Sequence, residues 1–220
     1  MIISFNNLKG GCGKSTSSVH ICRYLLDKGY LVALVDSDSQ ATSSRWMEQL
    51  NEGIVKPKVF RLTDPDLIID ELPLIARNMD YTIIDGAGGL AEVQRATLLL
   101  ADVVLIPIQP SFLDIDASEE MIKAVRRART IRNGLPLAYT FLTRIVPNTL
   151  LLKDSLEFLK TFEDVPLLST VIPQRQIAAD VMGQGYTLFD EKSRPAKDLV
   201  KAYTNLFREV LDGSSHHSPS

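Results

Sequence analysis

Cysteine is scarce in this chain, and no apolar run is long enough to cross a membrane. Only two cysteines, Cys12 and Cys22, occur among 220 residues, so we expect no disulfide framework and a reducing compartment. The longest apolar stretch, residues 98–108, is too short to span a bilayer and contains Asp102. A strand-like run already begins at Ile2, so we expect no signal peptide. These features predict a cytoplasmic protein.

An excess of charge of one sign is also lacking. Lysine and arginine total 24 and aspartate and glutamate total 27, which gives a net charge of −3. A chain with this balance can bind nucleic acid only through a local basic patch. Apolar residues make up 45% and charged residues 23%, as in ordinary globular proteins, and 220 residues suit one domain with a sizeable core.

Strand-like and helical patterns alternate along the chain. This alternation predicts a single-domain α/β fold, a doubly wound and mostly parallel sheet with helices on both faces. The predicted strands are residues 2–6, 30–36, 58–61, 80–85, 102–108, 136–143 and 167–172. The predicted helices are residues 15–28, 41–50, 66–78, 91–99, 116–133, 149–162, 175–184 and 195–211. The domain is predicted to span residues 1–212, with residues 213–220 as a disordered polar tail.

The most informative segment is the run at residues 9–16, Lys-Gly-Gly-Cys-Gly-Lys-Ser-Thr, between a predicted strand and a predicted helix. Its glycines free the backbone to wrap a polyphosphate with successive N–H groups pointing inward. Lys14 can reach the β- and γ-phosphates, and the hydroxyl of Ser15 can ligate Mg²⁺. Cys12 is interpreted as a small buried residue without chemistry. The predicted nucleotide-binding residues of this loop are Lys9, Gly10, Gly11, Cys12, Gly13, Lys14, Ser15 and Thr16.

Two further strands end in carboxylates. Asp36 and Asp38 follow the second strand, and Asp85 follows a later one. A doubly wound fold places such strand ends beside its ligand. A buried strand that ends in Asp is the Walker B arrangement, in which Asp85 reaches Mg²⁺ through a water, and the spacing to Gly88 matches a loop whose glycine N–H bonds the terminal phosphate. An Asx-turn followed by a helix N-cap is the alternative explanation of Asp36 and Asp38.

The form K-G-G-x-G-K-S/T, with its additional Lys9, resembles the deviant Walker A motif of the ParA/MinD family of ATPases. The resemblance implies that Lys9 reaches across a dimer to the partner's nucleotide. It also implies that Asp36 belongs to the outer shell of Mg²⁺ and that Asp38 positions or activates the attacking water, so that Lys9, Lys14 and Asp38 are the catalytic set. Ser39 stands where the family usually has proline. The sequence Asp-Gly-Ala-Gly at 85–88 resembles the short plasmid-partition branch typified by ParF, as do segments 110–114, 142–144 and 172–176.

The same resemblance implies a base site and a DNA surface. Adenine is expected on Thr143, Arg144, Pro173 and Gln174, unless these residues form simple strand-end turns. Non-specific DNA binding is expected at a basic C-terminal set that comprises Lys192, Arg194, Lys197 and Lys201, with Arg208 nearby. A second basic set is Lys123, Arg126, Arg127, Arg129 and Arg132. A solvated helix face is the alternative for both sets.

The function implied by the resemblance is that of a DNA partition ATPase with ATP/ADP and Mg²⁺ as cofactors. ATP binding is expected to close a homodimer that binds nucleoid DNA in the cytoplasm. Slow basal hydrolysis would be stimulated by DNA and by a cargo-bound ParB- or ParG-like activator. Plasmid DNA is the first choice of cargo. The alternative is a protein cargo, either a chemoreceptor cluster or a carboxysome.

Each of the other functions in the superfamily requires a sequence feature that can be looked for in this chain. A nitrogenase-iron-protein role needs later cysteines, and none follows Cys22. A MinD-like membrane role needs a C-terminal amphipathic helix with a basic polar face. Here the last predicted helix combines a wide apolar stripe with a polar face of mixed charge, so we expect it to pack on the core without stable membrane association. No polar constellation suggests a metabolic ligase or kinase. A passive nucleotide-binding scaffold stays open, although Asp38 and Asp85 disfavour it.

Overall fold

The computed structural model describes residues 1–89 and 91–215. Strands and helices alternate along this part of the chain. The strands are β1 (Ile2–Phe5), β2 (Val32–Asp36), β3 (Lys58–Arg61), β4 (Tyr81–Asp85), β5 (Val103–Ile108) and β6 (Leu137–Leu142). The helices are α1 (Lys14–Asp27), α2 (Thr42–Gln49), α3 (Pro65–Ala76), α4 (Ala91–Leu100), α5 (Phe112–Ile131), α6 (Leu150–Leu159), α7 (Ile177–Gly183) and α8 (Arg194–Ser215).

The strands form one parallel sheet in the order β3-β2-β4-β1-β5-β6. β1 therefore lies between β4 and β5, and the chain leaves it at the same edge at which β2 and β4 end. Asp36 at the end of β2 pairs in register with Asp85 at the end of β4, which pairs in turn with Phe5 of β1. The loop after β1 and both carboxylates thus meet at one sheet edge, where this architecture binds ligands.

Alternate strand residues face opposite helix layers, as expected for strands buried on both faces. Ile3, Phe5 and Ile83 pack in one core cluster with α1, α2, α7 and α8. Ile84 and Val104 point the other way, into clusters with α3, α4, α5 and α6. The doubly wound parallel sheet predicted from the sequence is confirmed.

The predicted seventh strand at 167–172 is wrong. Only isolated bridges form there, between Thr140 and Leu167 and between Ile145 and Pro173. Between the bridges, the backbone N–H groups of Ser169 and Thr170 donate to the carboxylate of Glu209 in α8, at 2.6 and 3.1 Å, and so are not available to a strand ladder. Leu168 and Ile172, on either side, still donate to the Thr140 and Leu142 carbonyls of β6 at 2.8 Å.

Two helix ends differ from the predictions by four residues. α5 begins at Phe112 rather than at residue 116, because the Ser111 hydroxyl caps its first turn by accepting from the N–H of Asp114. α8 continues to Ser215, so residues 213–215 of the predicted tail are helical. Residues 216–220 of that tail lie outside the described residues. The apolar stripe of α8 is buried, as predicted; its buried members are Leu199, Tyr203, Leu206, Phe207 and Val210. Within residues 1–89 and 91–215, no helix is both long enough and apolar enough to cross a membrane.

Candidate functional site

The glycine-rich loop between β1 and α1 presents open backbone amides. Gly11 and Gly13 adopt left-handed conformations with φ of 77° and 97°, which other residues rarely adopt. Gly13 is the N-cap of α1 and supplies no side-chain cap, so the first N–H groups of the helix are available to an anion. The loop is held from outside, since Gln109 Nε2 donates to the Gly11 carbonyl at 3.0 Å and Thr143 Oγ1 donates to the Cys12 carbonyl at 2.9 Å.

Lys14 is a buried lysine at the start of α1. Its Nζ donates to the carbonyls of Asn7 at 3.2 Å and of Lys9 at 2.9 Å, and it forms no ion pair with any described residue. The ammonium lies beside Gly88, since a Cβ at that glycine would be 3.7 Å from Nζ. Its charge acts on the nearby Asp85 carboxyl but is not neutralised by an ion pair, which favours a bound anion at this point.

Lys9 and Cys12 contribute mainly through their positions in the loop. The Lys9 side chain is half-buried and makes no ion pair with a described residue, while its carbonyl accepts from Lys14. Cys12 is fully buried and its thiol donates to the same carbonyl at 3.3 Å. Burial raises the pKa of the Cys12 thiol, so it stays protonated at neutral pH. The predicted burial of Cys12 is confirmed.

Asp36 and Asp85 are both fully buried, but their environments differ. Asp36 Oδ1 and Oδ2 accept from the N–H groups of Asp38 at 3.2 Å and Ser44 at 2.8 Å. Neither carboxylate oxygen of Asp85 has a partner within hydrogen-bond geometry, although the hydroxyls of Ser15 and Ser43 lie near it. Burial raises the pKa of Asp85 to about 7, an effect that the nearby hydroxyl of Ser15 partly offsets.

An unpaired buried carboxylate requires a proton or a cation. The donors at this point are oxygen atoms of Asp85, Asp36 and Ser15, the type of ligand that Mg²⁺ prefers. The residues that the sequence assigns to the metal therefore lie together and fit a divalent cation.

Asp38 contacts the loop after β4. Its Oδ2 accepts from the N–H of Gly88 at 3.3 Å, across fifty positions of sequence. Its Oδ1 accepts from the N–H of Gln40 at 2.9 Å, so the Asx-turn considered above is present as well. The loop reaches this position only because residue 86 is glycine: a Cβ at Gly86 would collide with the Asn6 side chain and the Phe5 carbonyl.

A cavity of about 290 Å³ lies beside the loop, and all four residues predicted to hold the base line it. Thr143 and Arg144 come from the end of β6, and Pro173 and Gln174 come from the segment bridged to it. The two segments are joined by a hydrogen bond from Gln174 N to the Ile145 carbonyl at 3.0 Å. Arg144 has φ of 50°, a strained conformation that costs on the order of 1 kcal/mol and concentrates at ligand-binding loops.

Known proteins share sequence and fold with this chain. Residues 3–188 match the model of the CobQ/CobB/MinD/ParA nucleotide binding domain. The chain belongs to this family.

Relatives of the chain include proteins that position or partition cargo. It is 28% identical to the maintenance of carboxysome distribution protein A of Halothiobacillus neapolitanus, over 90% of this chain and 92% of that protein. It is also 28% identical to the sporulation initiation inhibitor protein Soj of Bacillus subtilis, over 95% and 97%. Among solved structures, apo McdA of Cyanothece gives a TM-score of 0.77 at 16% identity, over 95% and 98%. MinD of Pyrococcus horikoshii, complexed with Mg-ADP, gives 0.72 at 19%, over 93% and 95%.

This ParA/MinD-family chain has an aromatic wall in its cavity that sequence reasoning missed. Tyr203 of α8 lines the cavity and stacks on His20 with ring centroids 5.0 Å apart. His20 Nδ1 lies 2.6 Å from the Thr16 carbonyl, and Nε2 accepts from the N–H of Leu188 at 3.1 Å, so the ring is neutral with its proton on Nδ1. Burial lowers the pKa of His20 to about 4 and raises that of Tyr203 to about 12. The sequence signal for this wall was a polar aromatic residue within an otherwise apolar helical stripe, His20 in α1 and Tyr203 in α8.

The two basic sets of this ParA/MinD-family chain differ in their surroundings. The C-terminal set is exposed and none of its members forms an ion pair with a described residue; it comprises Lys192, Arg194, Lys197 and Lys201. In the α5 set, most members are engaged within the chain. Lys123 pairs with Glu119 and Glu120, Arg126 and Arg129 pair with Asp164, and Arg132 donates to backbone carbonyls of Leu98 and Ala101. Only the C-terminal set is wholly available to a partner.

Proposed function

We propose that the chain is an ATP-dependent partition ATPase. The observation that supports this most directly is the convergence of three groups at one sheet edge. These are the buried ammonium of Lys14, the unpaired carboxylate of Asp85 and the contact between Asp38 and Gly88. A site that only stored a nucleotide would not require a third, half-exposed carboxylate, that of Asp38, beside the place of the terminal phosphate.

The nucleotide lies across the phosphate loop in this proposal. The open amides at the start of α1 and the ammonium of Lys14 bind the phosphates, and the cavity lined by Thr143 and Gln174 holds the base. Ser15, Asp36 and Asp85 hold Mg²⁺, which neutralises phosphate charge when bound. Asp38 orients the attacking water, because its carboxylate accepts from the N–H of Gly88 beside the place of the terminal phosphate.

Lys9 acts in a dimer. Lys14 already supplies a local ammonium, so a second lysine at the start of the loop is redundant for capture of nucleotide by one chain. Across a two-fold interface, Lys9 can approach the partner's phosphates and offset negative charge there. The absence of an ion pair to its side chain within the described residues leaves it available for this role.

DNA binding is assigned to the C-terminal set. Arg194, Lys201 and Arg208 follow one another at seven-residue intervals, so they lie along one face of α8. Phosphate contacts need only such exposed cations. Binding would therefore be independent of sequence and sensitive to salt.

A cargo-bound activator of the ParB or ParG kind would trigger hydrolysis and release the dimer from DNA. Plasmid DNA is the first cargo that we propose, in line with the resemblance of residues 85–88 to the short partition branch. The likeness to the carboxysome distribution protein favours a second candidate, a protein compartment moved by the same cycle. Loss of a test plasmid, compared with mislocalisation of a labelled compartment after deletion of the gene, separates the two.

Phosphate release tests the enzyme assignment. We expect slow release of phosphate from Mg-ATP by the wild-type chain, and release reduced to background by Asp38→Asn with ATP binding retained. Asp66→Asn, which alters an exposed aspartate in the first turn of α3, is the control and should match wild type. Wild-type turnover in Asp38→Asn would remove the role of Asp38, and no turnover in any chain would favour a passive scaffold.

A further inference from the structure

A second cavity, of about 230 Å³, lies between α4 and α5 and is distinct from the nucleotide site. Apolar side chains of the two helices form its floor, among them Leu98 and Leu99, and Ile131 stands at its rim with 71% of its surface exposed. Arg95 and Arg127 flank it. We call this the α4–α5 groove.

The volume of the α4–α5 groove suits one large apolar side chain. A protein cavity of about 150 Å³ binds benzene, so this groove can accept a leucine or phenylalanine side chain. Binding of such a side chain would remove water from the apolar floor and from the exposed Ile131, which favours binding.

The charged residues at the rim of the groove indicate which residues should flank that apolar side chain in a ligand. Arg95 and Arg127 form no ion pair with any described residue, whereas their neighbour Arg126 is held by Asp164 at 2.7 Å. An arginine presents a planar fork of donors that matches a carboxylate. Two unpaired guanidinium groups beside an apolar cavity are therefore complementary to an apolar side chain with acidic neighbours.

The α4–α5 groove is connected to the nucleotide site through α4. Gln94, buried on this helix, donates its Nε2 to the carbonyl of Ala87 at 3.2 Å, within the loop that carries Gly88. Three residues further along, Thr97 Oγ1 accepts from Asn6 Nδ2 at 3.1 Å at the start of the phosphate loop. A displacement of α4 therefore acts on both loops.

We propose that the α4–α5 groove docks a short acidic segment of a partner protein, whose apolar side chain fills the cavity while its carboxylates pair with Arg95 and Arg127. The identification of that partner with the activator of hydrolysis rests on the proposed function; the docking itself does not. Because α8 packs on the opposite face of the sheet, the segment and DNA can be bound at the same time.

Selection of short random peptides displayed on phage, with the full chain as bait, tests the proposal. We expect enriched sequences to place a leucine, isoleucine or phenylalanine between aspartates or glutamates. The strongest of them, labelled with a fluorophore, should bind wild type saturably in anisotropy. Its affinity should fall at least about tenfold in the double variant Arg95→Glu/Arg127→Glu, and equally when its apolar residue is replaced by alanine. Both arginines are exposed, so the fold should be unaffected.

Arg77→Glu, an exposed arginine at the end of α3, is the matched control and should leave peptide affinity unchanged. Enriched peptides without acidic residues, or equal binding to the double variant, would overturn the proposal. So would binding of anionic phospholipid vesicles that the double variant loses while no peptide is enriched. Peptide affinity is measured without nucleotide, so a failure of docking is distinguishable from a failure of ATP hydrolysis.

Discussion

Replacement of Asp85 by asparagine should stabilise the protein without nucleotide. The wild-type carboxyl is fully buried and neither oxygen is hydrogen-bonded, so its pKa rises from 3.8 to about 7. Between these values the unfolded chain ionises this group while the folded chain keeps it protonated. Folding stability therefore falls as pH rises from about 4 to 7 and is constant above that range. At 1.36 kcal/mol for each pH unit, the full cost is roughly 4 kcal/mol.

Urea denaturation in EDTA, at several pH values from 4 to 8, measures this effect. The free energy of unfolding of Asp85→Asn should nearly equal that of wild type at pH 4. At pH 8 it should be larger by about 4 kcal/mol. With saturating Mg-ATP, wild type should instead have the larger free energy of unfolding, because only wild type retains the Asp85 carboxylate that is proposed to hold Mg²⁺. A difference that does not change with pH would refute the reasoning.

Asp36→Asn is the matched control for this experiment. It removes a carboxylate at the register position beside Asp85, but here both oxygens accept backbone hydrogen bonds. Asparagine has only one acceptor oxygen, so one N–H loses its partner and the variant should be destabilised by about 1–3 kcal/mol. The two substitutions are thus expected to act with opposite signs.

Three further predictions concern the dimer, the DNA surface and the buried histidine. Lys9→Ala should bind ATP but form no dimer with a slowly hydrolysed analogue in ultracentrifugation, and a normal dimer would refute the cross-dimer role. Charge reversal at Lys192, Arg194 and Lys197 should weaken binding to all DNA sequences alike in anisotropy and flatten its dependence on salt; full affinity would contradict the patch. Wild type should lose about 3 kcal/mol of stability relative to His20→Gln as pH falls from 6.5 to 4, because the folded pKa is about 4; parallel curves would exclude a buried neutral ring.

Features encoded in short segments were predictable from the sequence. The phosphate loop needs only glycines, a lysine and a hydroxyl between a strand and a helix, and its backbone conformation follows from Gly11 and Gly13. The approach of Asp36 and Asp85 followed from strand alternation, since parallel strands end at one edge. The contact between Asp38 and Gly88 could be expected in outline, because both follow strands that end there.

Features that depend on distant partners were not predictable. The segment 167–172 has the composition of a strand, but Glu209 forty residues away binds its amides. The basic α5 set has the pattern of a DNA-binding surface, but Asp164 engages two of its arginines. Tyr203 lies in an apolar stripe typical of core residues, and only the packing of α8 beside the cavity shows that it also lines the cavity. In each case a single tertiary contact overrides the local pattern.

The hydrogen bond from the Gly88 N–H to Asp38 also competes with any phosphate that binds the same N–H. A backbone amide has one hydrogen, so the Gly88 N–H cannot be fully shared between the Asp38 carboxylate and a phosphate oxygen. A nucleoside triphosphate that takes this hydrogen must displace the carboxylate, which in the proposed mechanism is then able to accept from the attacking water. A diphosphate that ends short of Gly88 leaves the bond intact. The same amide would thus keep Asp38 occupied until there is a terminal phosphate to cleave.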